Sequence, residues 1–265
     1  MPQVDVDSFR VHFREAGSGT PLLLLHGLGH DLGYWDADAP VFAAHHRVLR
    51  CDLRGFGESG KPSGPYSLAG YAQDVDRFLD ACGVPAAHIV GISMGGVIAQ
   101  RVALDHPQRV RSLVLVSTSS EVGQRAIAVW QRLADIVERD GFDERLADAS
   151  RAFSAAFGER HPELVTAMTR RNAANDPRSY AAAARAVSDY NWTDALPAVR
   201  APVLVLQGRD DQLTPPGGSV KMARALPRAR LLLIDRAGHN LPIEQPDVFR
   251  AAVLAFTGGV DLVAR

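Results

Sequence analysis

Short apolar runs, each bounded by turn residues, recur along the chain. They are rich in Leu, Val and Ile and do not alternate with polar residues, which is typical of strands buried on both faces of a parallel sheet. The predicted strands span residues 21–27, 46–52, 87–93, 110–118, 201–208 and 229–239. Helical stretches lie between many of them. The chain therefore predicts an α/β fold with a mostly parallel central sheet, flanked by helices and joined by right-handed crossovers.

The helical stretches carry recognisable end signals. The stretch that follows Ser67 ends before Gly83, which predicts an N-cap serine and a C-terminal glycine in the left-handed region. The same kind of pattern predicts further helices over residues 94–107, 216–227 and 244–256. Two of these, 216–227 and 244–256, flank the last predicted strand.

The hydrophobic pattern changes in the middle of the chain. Residues 121–195 are rich in Ala, Arg, Asp and Glu and contain no clear strand run. Within them, the stretches 124–141 and 176–190 have the spacing of amphipathic helices. We therefore predict an α/β core made of residues 1–120 and 196–265. Residues 121–195 would form a helical insertion between two strands, placed to cover a site.

Composition limits the kinds of partner that this protein can have. The chain has 265 residues and a net charge of −1, so nothing favours binding to nucleic acid or to an anionic membrane. The apolar runs are far too short to span a membrane, and the N-terminus lacks the features of a signal peptide, which favours a cytoplasmic location. The two cysteines, Cys51 and Cys82, have no metal-binding or disulfide spacing. We expect no metal and no cofactor.

Ser93 lies at the centre of the one G-x-S-x-G pattern in the chain, residues 91–95. A predicted buried strand precedes it and a predicted helix follows, which is the context of a nucleophile elbow. In such a turn the glycines allow close backbone approach, and the helix N-terminus favours a developing negative charge. Ser93 is therefore a candidate nucleophile, and the alternative is an ordinary small residue in a turn.

A serine hydroxyl needs a base to activate it, and the base needs an orienting acid. For this motif the expected chain order is serine, then acid, then histidine. Asp210 and Asp211 follow one predicted strand, and His239 lies in a glycine-containing turn after the next run. Both places are carboxyl ends of strands, where open α/β sheets bind ligands. Spacing alone does not choose between the two aspartates.

Acyl transfer also needs backbone donors for the oxyanion. Met94 follows the candidate nucleophile, so its N–H opens the helix. A second donor is expected from the loop after an earlier central strand, where Gly27 and Gly29 would let the N–H of Leu28 turn inward. In this interpretation His26 supports the loop and is not a base. The alternative is a His-Gly turn without a catalytic role.

A glycine-rich loop at residues 55–61 matches two phosphate-binding patterns in part. It contains the spacing of a dinucleotide fingerprint and most of a P-loop ending at Lys61. Both patterns require a helix that starts at the loop, so that its N-terminus meets the phosphate. Pro62, Ser63, Gly64 and Pro65 follow instead, and Pro62 replaces the residue that would hold magnesium. We therefore exclude both interpretations.

Taken in order, these motifs resemble those of α/β-hydrolase-fold enzymes over almost the whole chain. The resemblance rests on residues 26–29 ("HGLG"), 52–59 ("DLRGFGES"), 91–96 ("GISMGG"), 208–211 ("GRDD") and 238–239 ("GH"). In that family the acid is typically the third residue after the glycine that ends its strand, which implies Asp211. The resemblance also implies that residues 121–195 form the cap over the pocket. Within the family, the closest similarity is to 3-oxoadipate enol-lactonases and related carboxylesterases, and it rests on residues 64–75, 91–118, 161–165 and 176–211.

The sequence and its resemblance together predict a serine hydrolase that cleaves an ester or lactone through an acyl-enzyme. Candidate substrate contacts are Gly27, Trp130 and Trp192. Three arginines are candidates to pair with a substrate carboxylate: Arg125, Arg170 and Arg171. Alternatives on the same triad are a carbon–carbon bond hydrolase of aromatic degradation and a cofactor-free haloperoxidase. A ligand receptor with the hydrolase fold is the alternative that is not an enzyme.

Overall fold

Eight strands form one sheet in the computed structural model, which describes residues 2–263. The outermost residues of the predicted core, 1 and 264–265, lie outside the described residues. The strand order across the sheet is β1-β2-β4-β3-β5-β6-β7-β8. The strands are β1 Gln3–Val6, β2 Phe9–Ala16, β3 Pro21–Leu25, β4 Arg47–Cys51, β5 Ala87–Ile92, β6 Val110–Val116, β7 Val203–Gly208 and β8 Ala229–Ile234.

Strands β3 to β8 pair in parallel, which confirms the predicted α/β fold class. The hairpin of β1 and β2 adds an antiparallel edge that the apolar runs did not predict. The exposed positions along β2 interrupt any apolar run, because this strand lies near the edge of the sheet. Strand β8 was wrongly predicted to be buried on both faces and to reach residue 239. It is the other edge strand, and Leu232 in it is 45% exposed.

Leucines of β3 show why the central strands lack polar alternation. Leu23 and Leu25 pack into the larger hydrophobic cluster on one face of the sheet, whereas Leu22 and Leu24 pack into a second cluster on the other face. Each of the four side chains is fully buried. Since helices cover both faces, every position of such a strand requires an apolar residue.

Helices surround the sheet and connect its parallel strands. Their bounds are α1 Ala39–Ala43, α2 Leu68–Ala81, α3 Met94–Asp105, α4 Gln124–Asp140, α5 Ala155–Arg160, α6 Pro162–Ala173, α7 Pro177–Ala186, α8 Pro216–Ala225, α9 Leu241–Glu244 and α10 Pro246–Val263. The end signals of α2 are confirmed, because Ser67 Oγ accepts the N–H of Gly70 at 3.0 Å and Gly83 has a φ of +65°. Within residues 2–263, every helix is too short or too polar to cross a membrane.

Residues 121–195 contain helices α4 to α7 and lie between β6 and β7. Helix α4 packs on α7, with Ala134 and Val137 of α4 completely buried. Arg185 of α7 adds ion pairs of 2.7 Å to both Asp135 and Glu138 on α4. The segment therefore has apolar packing of its own, while its limits as a domain stay a prediction.

Candidate active site

Ser93 occupies the sharp turn between β5 and α3. Its φ of 53° and ψ of −119° lie in a region that side-chain-bearing residues rarely adopt, at a cost of about 1–3 kcal/mol. Three hydrogen bonds hold this turn. The N–H of Ser93 donates to Val116 O at 3.0 Å, and Ser93 O accepts Val97 N–H at 3.0 Å and Thr118 Oγ1 at 3.1 Å. The surrounding fold thus enforces the strained backbone at this serine.

The glycines on either side of Ser93 allow the chain segments to approach closely. A Cβ atom on Gly91 would lie closer than 3.0 Å to the carbonyl oxygen of Gly95. A Cβ atom on Gly95 would lie equally close to the backbone of Leu25 in β3. Since these contacts are with backbone atoms, the neighbours cannot move aside without displacing helix α3 or the central strand β3.

His239 contacts Asp211 and not its neighbour Asp210. The distance between His239 Nδ1 and Asp211 Oδ2 is 3.0 Å, and Asp211 is only 4% exposed. Asp210 is exposed, and its N–H donates to Ala237 O at 2.9 Å. The structure therefore places at His239 the aspartate that the family resemblance implied.

Asp211 is held by hydrogen bonds that favour its ionised form. Its Oδ1 accepts the N–H groups of Leu213 and Thr214 at 2.9 Å each, and its Oδ2 accepts Gln207 Nε2 at 3.0 Å. Burial raises the pKa of Asp211, but the charge and hydrogen bond of His239, together with those from Thr214, outweigh it and lower the pKa to about 2. The carboxyl is therefore ionised at neutral pH.

The loop after β3 lies beside the nucleophile. A Cβ atom on Gly27 would be 3.4 Å from Ser93 Cβ, and Gly29 has a φ of +80°. The ring of His26 supports the loop, as predicted. Its Nδ1–H donates to Gly27 O at 2.8 Å and its Nε2 accepts the N–H of Leu53 at 2.9 Å, a pattern that fixes this tautomer. Both ring nitrogens of His26 are therefore hydrogen-bonded to the backbone.

A cavity of about 810 Å³ lies between the sheet and the segment 121–195. Ser93 and His239 both line it, and so do the two residues whose N–H groups are predicted to bind the oxyanion, Leu28 and Met94. The rest of the lining is mainly apolar, with side chains from α4 and α7 such as Val129, Trp130 and Tyr180. This size and character suit a small organic molecule.

A family model for the α/β-hydrolase fold matches residues 20–246. The chain belongs to the α/β-hydrolase fold family. Its relatives include 3-oxoadipate enol-lactonase 2 of Acinetobacter baylyi, which is 29% identical, with 88% of this chain and 87% of that protein covered.

Solved structures of α/β-hydrolases superpose closely on the chain. An enol-lactonase from Burkholderia xenovorans has a TM-score of 0.92 and 29% identity, covering 97% of this chain and 100% of that one. A thermophilic esterase from Thermogutta terrifontis has a TM-score of 0.91 and 30% identity, covering 98% and 99%. The predicted resemblance to the family is thus confirmed.

Trp192 does not line the cavity of this α/β-hydrolase, contrary to the prediction that it contacts substrate. Its indole Nε1–H donates to Gln100 Oε1 at 3.1 Å, and its ring stacks on Tyr190 with centroids 4.7 Å apart. The side chain of Trp192 therefore packs between segment 121–195 and the α/β core. Trp130 and Gly27 do line the cavity.

The three candidate arginines differ in position. Arg125 lines the cavity and its side chain is exposed. Arg171 is paired with Asp31, with Nε 3.0 Å from Oδ2, so its charge is already used to hold α6 against the loop after β3. Arg170 is exposed and lies 3.7 Å from Glu144. Only Arg125 of the three therefore faces the cavity.

Sequence reasoning did not find Glu244, a buried carboxylate beside the turn that carries His239. Its Oε1 accepts Gly238 N–H at 2.9 Å, and its Oε2 accepts Ser154 N–H at 3.1 Å and Ser154 Oγ at 2.6 Å. Burial raises the pKa of Glu244, although these hydrogen bonds oppose the change. The residue ties segment 121–195 to the histidine turn, and no motif marks it in the sequence.

The glycine-rich loop at residues 55–61 has a structural role in this hydrolase. The next helix begins only at Leu68, so the helix that a phosphate site requires is not there. Gly57 lies against Asp52, where a Cβ atom would overlap the carboxylate. Asp52 in turn accepts the N–H groups of Leu32 at 2.7 Å and Glu58 at 2.8 Å. Within residues 2–263, no group of His, Cys, Asp and Glu side chains forms a candidate metal site.

Proposed function

We propose that this α/β-hydrolase is a serine hydrolase that cleaves a carboxylic ester or lactone of a small molecule. One observation carries the proposal: His239, oriented by ionised Asp211, lines the same cavity as the strained Ser93. The similarity to an enol-lactonase and to an esterase supports lactones and esters as the substrate class.

In the first step Ser93 Oγ attacks the carbonyl carbon while His239 accepts the hydroxyl proton. Asp211 stabilises the imidazolium that forms, because the carboxyl is ionised and hydrogen-bonded to Nδ1. The N–H groups of Leu28 and Met94 bind the oxyanion, and each such donor is worth about 3 kcal/mol in the transition state.

The tetrahedral intermediate then collapses, and the imidazolium of His239 gives its proton to the leaving oxygen. In a lactone the leaving oxygen stays attached to the acyl group, whereas in an ester the alcohol departs. His239 next takes a proton from water, which attacks the acyl-enzyme and releases the acid. Ser93 recovers its proton at the end, so the cycle needs no other reactant.

Residues 121–195 act in this proposal as a cap that shapes the acyl pocket. The cap contacts the loop after β3, which carries Leu28, because Asn175 Nδ2–H of the cap donates to Gly29 O at 2.7 Å. Arg171 and Asp31 form a second contact between the two. Trp130 contributes apolar surface to the cavity that Ser93 lines, and Gly27 lines the same cavity.

The test is turnover of p-nitrophenyl esters and of small lactones by the intact protein and by Ser93→Ala. We expect multiple turnovers by the intact protein and none above background by the variant. A fluorophosphonate probe should label the intact protein, and labelling with almost no turnover would instead identify a receptor. Faster hydrolysis of a carbon–carbon substrate than of any ester or lactone would overturn the proposed substrate class.

A further inference from the structure

The turn after β7 brings a side-chain hydroxyl to the pair formed by Asp211 and His239. Thr214 Oγ1 lies 2.7 Å from Asp211 Oδ2 and 3.1 Å from His239 Nδ1. Since Oδ2 and Nδ1 are themselves 3.0 Å apart, the three atoms form a nearly equilateral triangle. Thr214 therefore contacts both the acid and the base of the proposed triad.

The local chain holds this hydroxyl in place. The N–H groups of Leu213 and Thr214 donate to Asp211 Oδ1 at 2.9 Å each, so the turn wraps around the carboxylate. Pro215 follows Thr214, and a residue before proline is restricted to extended backbone conformations. A β-branched side chain also has few rotamers. Thr214 therefore has little freedom to move its hydroxyl away from the acid.

The proton of the Thr214 hydroxyl is donated to Asp211. The hydroxyl has one proton and two acceptors within reach, Asp211 Oδ2 at 2.7 Å and Ser117 O at 3.0 Å. The ionised carboxyl of Asp211 has no proton to give, so the two oxygens would repel each other at 2.7 Å unless the hydroxyl donates. A lone pair of Thr214 Oγ1 is then free to accept a hydrogen bond from His239 Nδ1–H.

A second acceptor at Nδ1 matters most when His239 carries a positive charge. In the proposed mechanism the imidazole becomes an imidazolium during acylation and again during deacylation, and a hydrogen bond to a charged group is stronger than one to a neutral group. Donation to a carboxylate also polarises the hydroxyl, which makes its oxygen a better acceptor. Thr214 Oγ1 therefore stabilises the imidazolium more than the resting histidine, and such an interaction raises kcat rather than substrate affinity.

We propose that Thr214 is a positioning residue, which shares the Nδ1 proton of His239 with Asp211 and so fixes the orientation of the imidazole. The inference rests on the proposed function, because it requires His239 to act as the base. Thr214 also lines the cavity, so a direct contact with the substrate is the competing explanation. The two explanations differ in what they predict for kcat and KM.

The experiment compares Thr214→Val and Thr214→Ser with the intact protein on p-nitrophenyl acetate and p-nitrophenyl butyrate. Valine has the shape of threonine without the hydroxyl, so kcat should fall by about five- to tenfold, the equivalent of one hydrogen bond. The same factor should apply to both esters. KM should not change, because His239 serves acylation and deacylation alike and both rates fall together. Thr214→Ser restores the hydroxyl and should recover most of kcat.

Thr166→Val is the matched control. Thr166 is exposed on α6 and does not line the cavity, so this variant should leave kcat unchanged. If Thr214→Val does not fold, Thr214→Ala removes the same hydroxyl from the half-buried side chain without putting a methyl group in its place.

Three results would overturn the role of Thr214. An unchanged kcat in Thr214→Val or Thr214→Ala would show that the hydroxyl does not assist His239. A loss that appears in KM, or with one ester only, would show a substrate contact instead. A Thr214→Ser variant as slow as Thr214→Val would show that the hydroxyl is not the cause of the loss.

Failure of this inference is distinct from failure of the proposed function. If Ser93→Ala still hydrolyses both esters, the serine mechanism is wrong. If Ser93→Ala is inactive but Thr214→Val keeps the full kcat, the serine mechanism stands and only the role of Thr214 is wrong.

Discussion

Replacing Asp211 by Asn should nearly abolish activity, whereas Asp210→Asn should not. Asp211 Oδ2 lies 3.0 Å from His239 Nδ1, and an asparagine amide at that place can donate its own N–H to Nδ1. The imidazole proton would then move to Nε2, so that His239 could no longer accept the proton of Ser93. From the corresponding change in serine proteases we expect kcat to fall by about 10⁴-fold.

The same substitution has a cost in stability that depends on pH. The pKa of Asp211 is about 2 in the folded protein and 3.8 ordinarily, which corresponds to about 2 kcal/mol of folding free energy from the ionised carboxyl. Because the folded pKa is depressed, this contribution is complete above about pH 4 and is lost as the pH falls toward 2. Asp211→Asn should therefore unfold about 2 kcal/mol more easily than the intact protein at pH 7, and the difference should shrink below pH 4.

Two assays check this prediction, namely steady-state hydrolysis of a p-nitrophenyl ester and urea unfolding at pH 7 and pH 3. Asp210→Asn is the matched control, since Asp210 is exposed and should keep both activity and stability. A larger loss of kcat in Asp210→Asn than in Asp211→Asn would refute the assignment of the acid. An unfolding difference that is the same at pH 7 and pH 3 would refute the depressed pKa.

Three other substitutions, two of them paired with a control variant, probe the turn, the cavity and the histidine support. Gly95→Ala places a methyl group against the backbone of β3 and should destabilise the protein by roughly 3 kcal/mol in thermal unfolding. Its control is Gly258→Ala in α10, where a methyl group meets no neighbour, and this variant should be stabilised by about 1 kcal/mol. Trp130→Ala should raise KM severalfold for a p-nitrophenyl ester, and Trp192→Phe should leave KM unchanged, because only Trp130 lines the cavity. Glu244→Gln deprives at least one of three hydrogen-bond donors of its acceptor, so urea unfolding should show a loss of about 1–3 kcal/mol together with a lower kcat.

The central sheet was predictable because burial on both faces leaves a strong local signal. Leu22 to Leu25 are all apolar since alternate side chains enter opposite clusters. Edge strands lack this signal: β2 is half exposed, and β8 has only half-buried and exposed positions. The hairpin of β1 and β2 was therefore missed, and β8 was wrongly predicted to be buried on both faces.

The candidate nucleophile and base were found because the chemistry demands a fixed order along the chain. Ser93 predicts a later acid and histidine, and His239 lies where that order requires. Local spacing does not reveal which way a side chain points. The sequence therefore offers Trp130 and Trp192 as equal candidates for substrate contact, although Trp192 packs away from the cavity. Arg171 and Asp31 meet only because α6 folds over the loop after β3, and no local pattern records such a contact.

In the proposed mechanism Ser93 carries the acyl group during turnover. The most direct measurement is mass spectrometry of the protein quenched during hydrolysis of p-nitrophenyl acetate, followed by mapping of the modified peptide. We expect an acetyl group on Ser93 that appears as fast as p-nitrophenol is released and then disappears, and no acetylated peptide in Ser93→Ala. Steady turnover without an adduct on Ser93, or with the adduct on another residue, would contradict it.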